Sequence, residues 1–294
     1  MKKLTHLTLI LIITLLFSAC GVSGETVTPE VTPTSIPPTR TPFPPSPTPI
    51  PIAAEVNGEW ITMAEYQSEL ARYKAAVERE LTSADRNFVI RDMIHLVLLE
   101  QSAQSQGYQI SQETLQARIA ELDSEEQPLE EWLAQYGYTE ESFQKSLERS
   151  LAAAWMRDRI IQQVPEEMEQ IHAQQILLYE KNQAEMVREE LETGTDFARL
   201  AEQYDPQTLG NLGWFPRGYL TIPTLDEILF NLEPGQISDI IETDIGYHII
   251  KIIDRDDDRP LDPDVRRVLQ KQALHDWLER HWNLSKISIN IPQE

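Results

Sequence analysis

Apolar residues recur at two different spacings along the chain, and the changes of spacing mark regions of different secondary structure. From Thr62 to Gln163 they recur every three or four positions, which is typical of helices that bury one face. Between residues 166 and 256, alternating β-branched runs typical of strands are interspersed with short helical stretches. Helical spacing returns from Val265 to Trp282, and Ile287–Ile291 alternates again as a strand. The pattern predicts an α+β chain.

Local signals divide the first helical region into a short hairpin and a series of helices. Asn57-Gly58 separates two short extended segments and is typical of a two-residue hairpin turn. Thr62, followed three residues later by Glu65, predicts a capping box at the start of the first helix. The later helices are expected at about residues 84–105, after Ser111, around Trp132 and at about residues 142–163.

The mixed region has its own expected order of elements. We expect a strand at residues 171–179, helices at 182–191 and 196–204, a glycine-rich turn at Leu212–Phe215, an apolar helix, a turn at Pro234-Gly235 and a strand at 246–253. Thr195 is expected to cap the second of these helices. The acidic run from Asp256 to Pro263 is expected to form a charged hinge before the last helix.

The first residues are typical of an export signal. Lys2 and Lys3 precede an apolar run, and two small residues follow it directly before Cys20. This arrangement resembles the lipobox of bacterial lipoproteins, which implies cleavage after residue 19 and lipidation at Cys20. An ordinary secreted protein is the alternative. Residues 20–52 are rich in proline and threonine and cannot bury a core, so a lipid-anchored, disordered linker is expected there.

Charge and cysteine content exclude several classes of function. The net charge is −23, and such an acidic surface repels phosphate backbones, so we expect no nucleic-acid partner. Cys20 is the only cysteine of the chain, which excludes an internal disulfide and a thiolate metal cluster. The histidines are scattered and no glycine-rich phosphate loop is present. We therefore expect neither a metal nor a cofactor.

Four motifs in the mixed region occur in the order found in one family. Residues 194–204 read G-T-D-F-A-R-L-A-E-Q-Y, followed by L-G-W-F from Leu212, P-G-Q-I-S from Pro234 and G-Y-H-I-I-K from Gly246. This series resembles the parvulin-type peptidyl-prolyl cis-trans isomerases, also called the PpiC or rotamase type. The opening V-N-G-E-W-I-T with Glu65 and Tyr66 resembles the helical N-terminal domain of SurA-like and PrsA-like chaperones.

The two resemblances together imply a domain plan. Residues 53–165 would form the helical SurA/PrsA-like domain, residues 166–256 an inserted small parvulin-like α/β domain, and residues 257–294 a C-terminal helix and strand that pack back on the helical domain. Ile287–Ile291 is expected to pair near Ala54–Val56. The signal peptide of residues 1–19 and the linker of residues 20–52 precede these parts.

The resemblance also implies a site for rotation about X–Pro bonds. The barrier to this rotation is about 20 kcal/mol and no covalent bond breaks, so an apolar pocket and fixed dipoles suffice. By resemblance, the catalytic residues would be His248, Thr243 as its hydroxyl partner, Asp205 as the acidic member, and Gln175 in place of the family's first histidine. The substrate-binding residues would be Leu220, Leu225, Phe230 and Trp214.

Two departures from the family pattern leave two functions open. Gln175 stands where the family has histidine, and the loop between Tyr204 and Leu212 is shorter than usual. One function is an extracytoplasmic isomerase and foldase for unfolded or newly exported proteins with X–Pro bonds, held at the bacterial cell-envelope membrane by its lipid anchor. The other is a non-catalytic chaperone or peptide-binding lipoprotein with a degenerate parvulin domain. Likewise, His248 is either catalytic or a hydrogen-bonded core histidine.

Overall fold

The computed structural model describes residues 50–123 and 128–292. The export signal, Cys20 and most of the proline-rich segment lie outside these residues, so the expectations for them stay predictions. The elements in chain order are β1 (Ile52–Val56), β2 (Glu59–Thr62), α1 (Met63–Val77), α2 (Ser83–Ser105), α3 (Gln112–Leu122), α4 (Leu129–Gln135), α5 (Glu140–Ile161), β3 (Glu167–Leu178), α6 (Lys181–Glu192), α7 (Phe197–Tyr204), β4 (Asn211–Pro216), α8 (Pro223–Leu229), β5 (Ile241–Thr243), β6 (Gly246–Pro260), α9 (Pro263–Leu284) and β7 (Ile287–Ile289).

The helical lobe consists of β1, β2, α1–α5, α9 and β7, and it has a core of its own. Thr62 and Glu65 form the predicted capping box, in which each side chain bonds to the other residue's backbone N–H. The core joins residues of β1, α2, α5 and α9, among them Ala54, Ile94 and Trp277. Within the described residues, no helix has the length and apolar character needed to cross a membrane.

The C-terminal strand closes a small sheet in this lobe. Its strand order is β2-β1-β7, and Ala54 lies opposite Ile289 and Val56 opposite Ile287 in antiparallel register. The pairing predicted for the end of the chain is therefore present. The turn between β1 and β2 holds Asn57 at φ 53° and Gly58 at φ 90°, the left-handed backbone expected of an Asn-Gly hairpin.

The sheet lobe consists of β3–β6 and α6–α8. Its four antiparallel strands have the order β4-β3-β6-β5. Ile176 and Ile249 face α6 and α7 in one buried cluster. Ile171 and Ile250 face the other way, into a cluster with residues of α8 and β5. Because successive strand residues point to opposite faces, these contacts show which face of the sheet each strand side chain occupies. We call the second face the α8 face.

Three expectations for the sheet lobe are wrong in detail. Leu212–Phe215 is part of strand β4, because it pairs with β3 along the sheet edge although Gly213 has φ +69°. The acidic run after Asp256 continues strand β6 to Pro260, since Glu167 at the start of β3 pairs with it. The cap of α7 is Asp196 and not Thr195, because the Asp196 carboxylate accepts the Arg199 N–H at 3.0 Å.

Candidate isomerase site

His248 lies in the middle of the sheet lobe, on strand β6. Only 2% of its surface is exposed. It pairs directly with Ile241 of β5, whose side chain belongs to the apolar cluster on the α8 face. Residues directly opposite in an antiparallel pair share a face, so the imidazole also lies on the α8 face.

Two polar side chains hold the imidazole of His248 from opposite ends. Its Nε2 lies 2.8 Å from Oγ1 of Thr243, and its Nδ1 lies 3.3 Å from Oε1 of Gln175. With the Gln175 amide oxygen as acceptor, Nδ1 carries the proton and Nε2 accepts from the Thr243 hydroxyl, whose single hydrogen can instead reach the Gly246 carbonyl at 3.2 Å. Thr243 Oγ1 also accepts the N–H of Ile245 at 3.3 Å, which ties the hydroxyl to the β5–β6 turn.

The imidazole is a neutral dipole in this environment. Burial lowers the pKa of His248 below its ordinary value of 6.5, because the charged form loses solvation. No carboxylate lies in hydrogen-bond contact to offset that loss. The arrangement therefore holds a hydrogen-bond donor and an acceptor in fixed orientation.

This lowered pKa predicts how stability depends on pH. Since the unfolded chain binds a proton at His248 more readily, wild-type stability falls as the pH drops from 6.5 toward the folded pKa and is unaffected above it. His248→Gln does not titrate, so its unfolding free energy should fall less over this range. Burial also lowers the pKa of His95, but that residue is present in both proteins and cancels in the difference. Urea unfolding measures both free energies. If those of wild type and His248→Gln change equally between pH 7.5 and 5, the prediction is wrong.

Gln175 takes the place next to His248 because of the register of β3. Gln175 lies opposite Ile250 and two residues after Ala173. Both of these residues belong to the apolar cluster on the α8 face, so the Gln175 side chain lies on that face as well. His172 lies on the other face, where its Nε2 bonds to Asn211 Oδ1 at 2.9 Å and its ring stacks on Trp214. His172 therefore does not substitute for the missing histidine.

Three predicted substrate-binding residues lie together on the α8 face. Leu225 and Phe230 are 5% and 4% exposed, and the partly buried Leu220 packs on the same cluster. The Phe230 ring meets Phe215 edge to face at 6.2 Å and carries the Arg217 guanidinium 4.3 Å above it. Leu220 is thus the more accessible wall of an apolar surface, and Phe230 is mainly its support.

Trp214 lies on the other face of the sheet, away from these three residues, and its role in substrate binding stays a prediction. Its neighbour Phe215 is buried on the α8 face, so Trp214 points to the opposite face. There it stacks on His172 at 5.5 Å and lies under the guanidinium of Arg259 at 4.2 Å. Strand alternation separates it from the other three residues.

A pair of substitutions tests whether Leu220 and Trp214 contribute to substrate binding. Leu220→Ala should raise KM for an X–Pro peptide by roughly threefold to tenfold, because a pocket wall loses apolar area worth about 1 kcal/mol. Trp214→Leu should lower stability by about 1–2 kcal/mol through the lost stacking while KM stays unchanged. The measurements are peptide kinetics and urea unfolding. A raised KM for Trp214→Leu would show that Trp214 does contribute to substrate binding.

Asp205 shapes its own loop and does not contact His248. Its carboxylate accepts the N–H groups of Gln207 and Thr208 at 3.2 and 3.1 Å and the Thr208 hydroxyl. These hydrogen bonds, those of Thr208 first, lower the pKa of Asp205. The loop ends at Gly210, whose carbonyl accepts the Gln175 N–H at 2.8 Å. Asp205 thus supports the backbone beside Gln175, and a direct catalytic role for it stays a prediction.

Asp226 is a buried acid near the apolar wall that sequence reasoning missed. It is 7% exposed, and its Oδ2 accepts the Gly218 N–H at 2.6 Å, which anchors the turn that leads to Leu220. Its Oδ1 is buried without a hydrogen-bond partner among the described residues. Burial raises the pKa of Asp226. The signal was an acid directly after Leu225 in the short helix α8.

Two protein families match different parts of the chain. Residues 160–254 match the family described as PPIC-type PPIASE domain, and residues 1–157 match the SurA-like N-terminal domain. Among the described residues, no group of three or more histidine, aspartate or glutamate side chains is arranged to hold a metal ion.

Several relatives are named foldase protein PrsA. That of Geobacillus sp. strain WCH70 is 40% identical over 95 residues, which cover 31% of this chain and 34% of the relative. That of Caldanaerobacter subterraneus is 26% identical over 222 residues, covering 68% of this chain and 72% of the relative. The chain thus spans about a third of the length of the Geobacillus relatives and 65% of the Halalkalibacterium halodurans relative.

Two crystal structures of peptidylprolyl isomerases named PrsA resemble the chain. The Bacillus cereus structure is 20% identical with a TM-score of 0.45, covering 77% of this chain and 87% of its own. The Bacillus anthracis structure is 25% identical with a TM-score of 0.42, covering 69% of this chain and 99% of its own.

Proposed function

Because the chain belongs to the family with a SurA-like N-terminal domain and carries a PPIC-type isomerase domain, we propose that it is a peptidyl-prolyl isomerase and foldase. One observation carries the proposal. His248 is buried between Thr243 and Gln175 on the sheet face that also holds the apolar cluster with Leu220. Such a site holds fixed dipoles beside an apolar surface, which is what rotation of a proline amide requires.

The chemistry follows from the electronic structure of the amide. The planar X–Pro bond is stabilised by charge separation, which is lost as the bond twists through a barrier of about 20 kcal/mol. An apolar surface around Leu220 and Leu225 excludes water from the proline ring and disfavours the planar, charge-separated form. The oriented dipoles of His248 and Thr243 favour the twisted state. No proton transfer is needed, so Gln175 is compatible with activity as a fixed hydrogen-bonding group.

The domain plan is also a proposal. We assign residues 53–165 with 257–294 to the helical chaperone domain and residues 166–256 to the isomerase domain. The separate apolar clusters of the two lobes and the pairing of β1 with β7 support this division. Strand β6 runs across the second boundary to Pro260, so the connection there is a paired strand.

The site of action is proposed from the N-terminal sequence. The protein would be anchored through lipid on Cys20, outside the cytoplasm, at the end of the proline-rich linker. Its partners would be unfolded or newly exported proteins with X–Pro bonds. Cys20→Ser should move the protein from the membrane fraction to the soluble extracytoplasmic fraction and abolish labelling with a fatty-acid analogue. An unchanged membrane fraction would overturn the anchor.

A refolding experiment tests the foldase proposal. A client whose slow refolding phase is limited by proline isomerisation should regain structure faster with the wild-type chain than alone. The alternative, a non-catalytic chaperone or peptide-binding lipoprotein, is favoured by Gln175 in place of histidine and by the short loop after Tyr204. A chain that reduces client aggregation but leaves the slow phase unchanged would establish that alternative and contradict the isomerase.

A further inference from the structure

A cleft opens in the helical lobe, on elements that take no part in the candidate isomerase site. It lies between α1, α2 and α5, beside the turn at Gly137–Thr139, and has a volume of about 420 Å³. Ala64, Met93 and Leu96 contribute apolar surface to it, and serines of α1 and α5 contribute hydroxyl groups. This volume is in the range of pockets that bind a small ligand, and it is large enough for a single long side chain of a peptide.

The cations that line the cleft are already paired. Arg72 bonds to Glu69 at 2.5 Å and its guanidinium lies 4.1 Å from the Tyr138 ring. Lys145 bonds to Glu65 at 2.8 Å. Positive charge in the cleft is therefore neutralised by the protein's own acids.

Arg149, the remaining cation of the lining, is engaged by two acids. It pairs with Glu59 and, at 2.6 Å, with Glu100, and neither of these acids lines the cleft. Both glutamates thus compensate one guanidinium. The ion pairs around the cleft leave an excess of negative charge.

Asp92 is the acid of the lining without a cationic partner. Among the described residues its carboxylate makes no ion pair, and the residue lines the cleft while its surface as a whole is exposed. Burial of that carboxyl, followed by the negative charge of Glu69, raises the pKa of Asp92. Both causes mean that an incoming cation at this point would relieve unfavourable electrostatics. Met93, the next residue of α2, lines the same cleft.

We propose that this cleft binds a lysine or arginine side chain of an extended polypeptide segment. The aliphatic part of that side chain would lie on Met93 and Leu96, and its cationic end would meet Asp92. Long basic side chains bury their methylene groups while pairing their charged end, which is the combination that the lining offers. The chain's net charge of −23 further favours basic segments during encounter. This inference goes beyond the isomerase assignment and does not depend on it.

Peptide binding to the intact chain tests the proposal. The probe is a fluorescent, proline-free peptide with one lysine flanked by leucines, compared with the same peptide carrying acetyl-lysine. Wild type should bind the lysine peptide about threefold to tenfold more tightly, the range expected of a partly exposed charged hydrogen bond. Asp92→Asn should remove this preference. Asp257→Asn is the matched control and should keep the preference, because Asp257 is an exposed residue of strand β6 that does not line the cleft.

The outcomes separate the proposal from its rivals. Equal binding of the two peptides by wild type, or a preference that survives in Asp92→Asn, would overturn it. Loss of the preference in Asp257→Asn as well would assign the effect to net charge and also overturn it. Displacement of the peptide by equimolar spermidine would assign the cleft to small polyamines. If Asp92→Asn does not fold, Ser146→Leu fills the cleft and should weaken lysine-peptide binding similarly; unchanged binding would contradict the site.

Discussion

Gly210→Ala is expected to destabilise the sheet lobe by about 3 kcal/mol or more, because two penalties coincide at one residue. A β-carbon at this position would lie 2.0 Å from the Gln175 carbonyl oxygen, which belongs to the backbone of the central strand β3. Gly210 also has φ +67°, where side chains are strained. Its carbonyl accepts the Gln175 N–H at 2.8 Å, so the loop cannot move away without breaking that bond.

Gly213→Ala is the matched control for this prediction. Gly213 has nearly the same backbone angle, φ +69°, but nothing lies within 4 Å of the added β-carbon. It should cost only the conformational penalty, about 1–2 kcal/mol. Urea unfolding followed by near-ultraviolet circular dichroism measures both. If both variants lose the same unfolding free energy, the backbone around Gly210 can move away from β3 at little cost, and the prediction is wrong.

His248→Ala is expected to lower kcat/KM for an X–Pro peptide by roughly 10- to 100-fold, with most of the loss in kcat. The substitution removes the imidazole dipole and leaves Thr243 Oγ1 and Gln175 Oε1 without their common partner. Since these groups act on the twisted amide, the transition state loses more than the bound substrate does. The measurement is peptide isomerisation at several substrate concentrations.

His172→Ala provides the control for a general effect of removing a histidine from β3 or β6. His172 stacks on Trp214 on the opposite face of the sheet, so its removal should leave kcat/KM within about twofold of wild type. Unfolding curves of both variants exclude loss of the fold. An equal loss of activity in His172→Ala would contradict the assignment of the α8 face as the reactive face.

Elements that depend on a few neighbouring residues could be predicted from the sequence. The Asn57-Gly58 turn and the Thr62 capping box follow from a few neighbouring residues, and both are present. The pairing of Ile289 with Ala54 was predicted from family resemblance, since no local rule joins the two ends of a chain. The strand character of the acidic run to Pro260 was missed because its partner, the start of β3, is distant in the sequence: Glu167 pairs with Pro260.

The site was predicted in part. The structure brings His248, Thr243 and Gln175 together as expected, because residue parity along β3, β5 and β6 places them on one face. Trp214 was assigned to the same site from its motif, but the same parity puts it on the other face. Asp226 was missed because its burial depends on the turn at Gly218, which sequence spacing does not reveal.

The most direct test of the isomerase assignment is the exchange rate of an X–Pro peptide in the presence of the wild-type chain. Two-dimensional NMR exchange at equilibrium reports cis–trans interconversion without a coupled protease. Cross-peaks between the two isomers should build up faster with the wild-type chain than with peptide alone, and this gain should be largely lost with His248→Ala. An exchange rate with wild type equal to the uncatalysed rate would contradict the isomerase assignment.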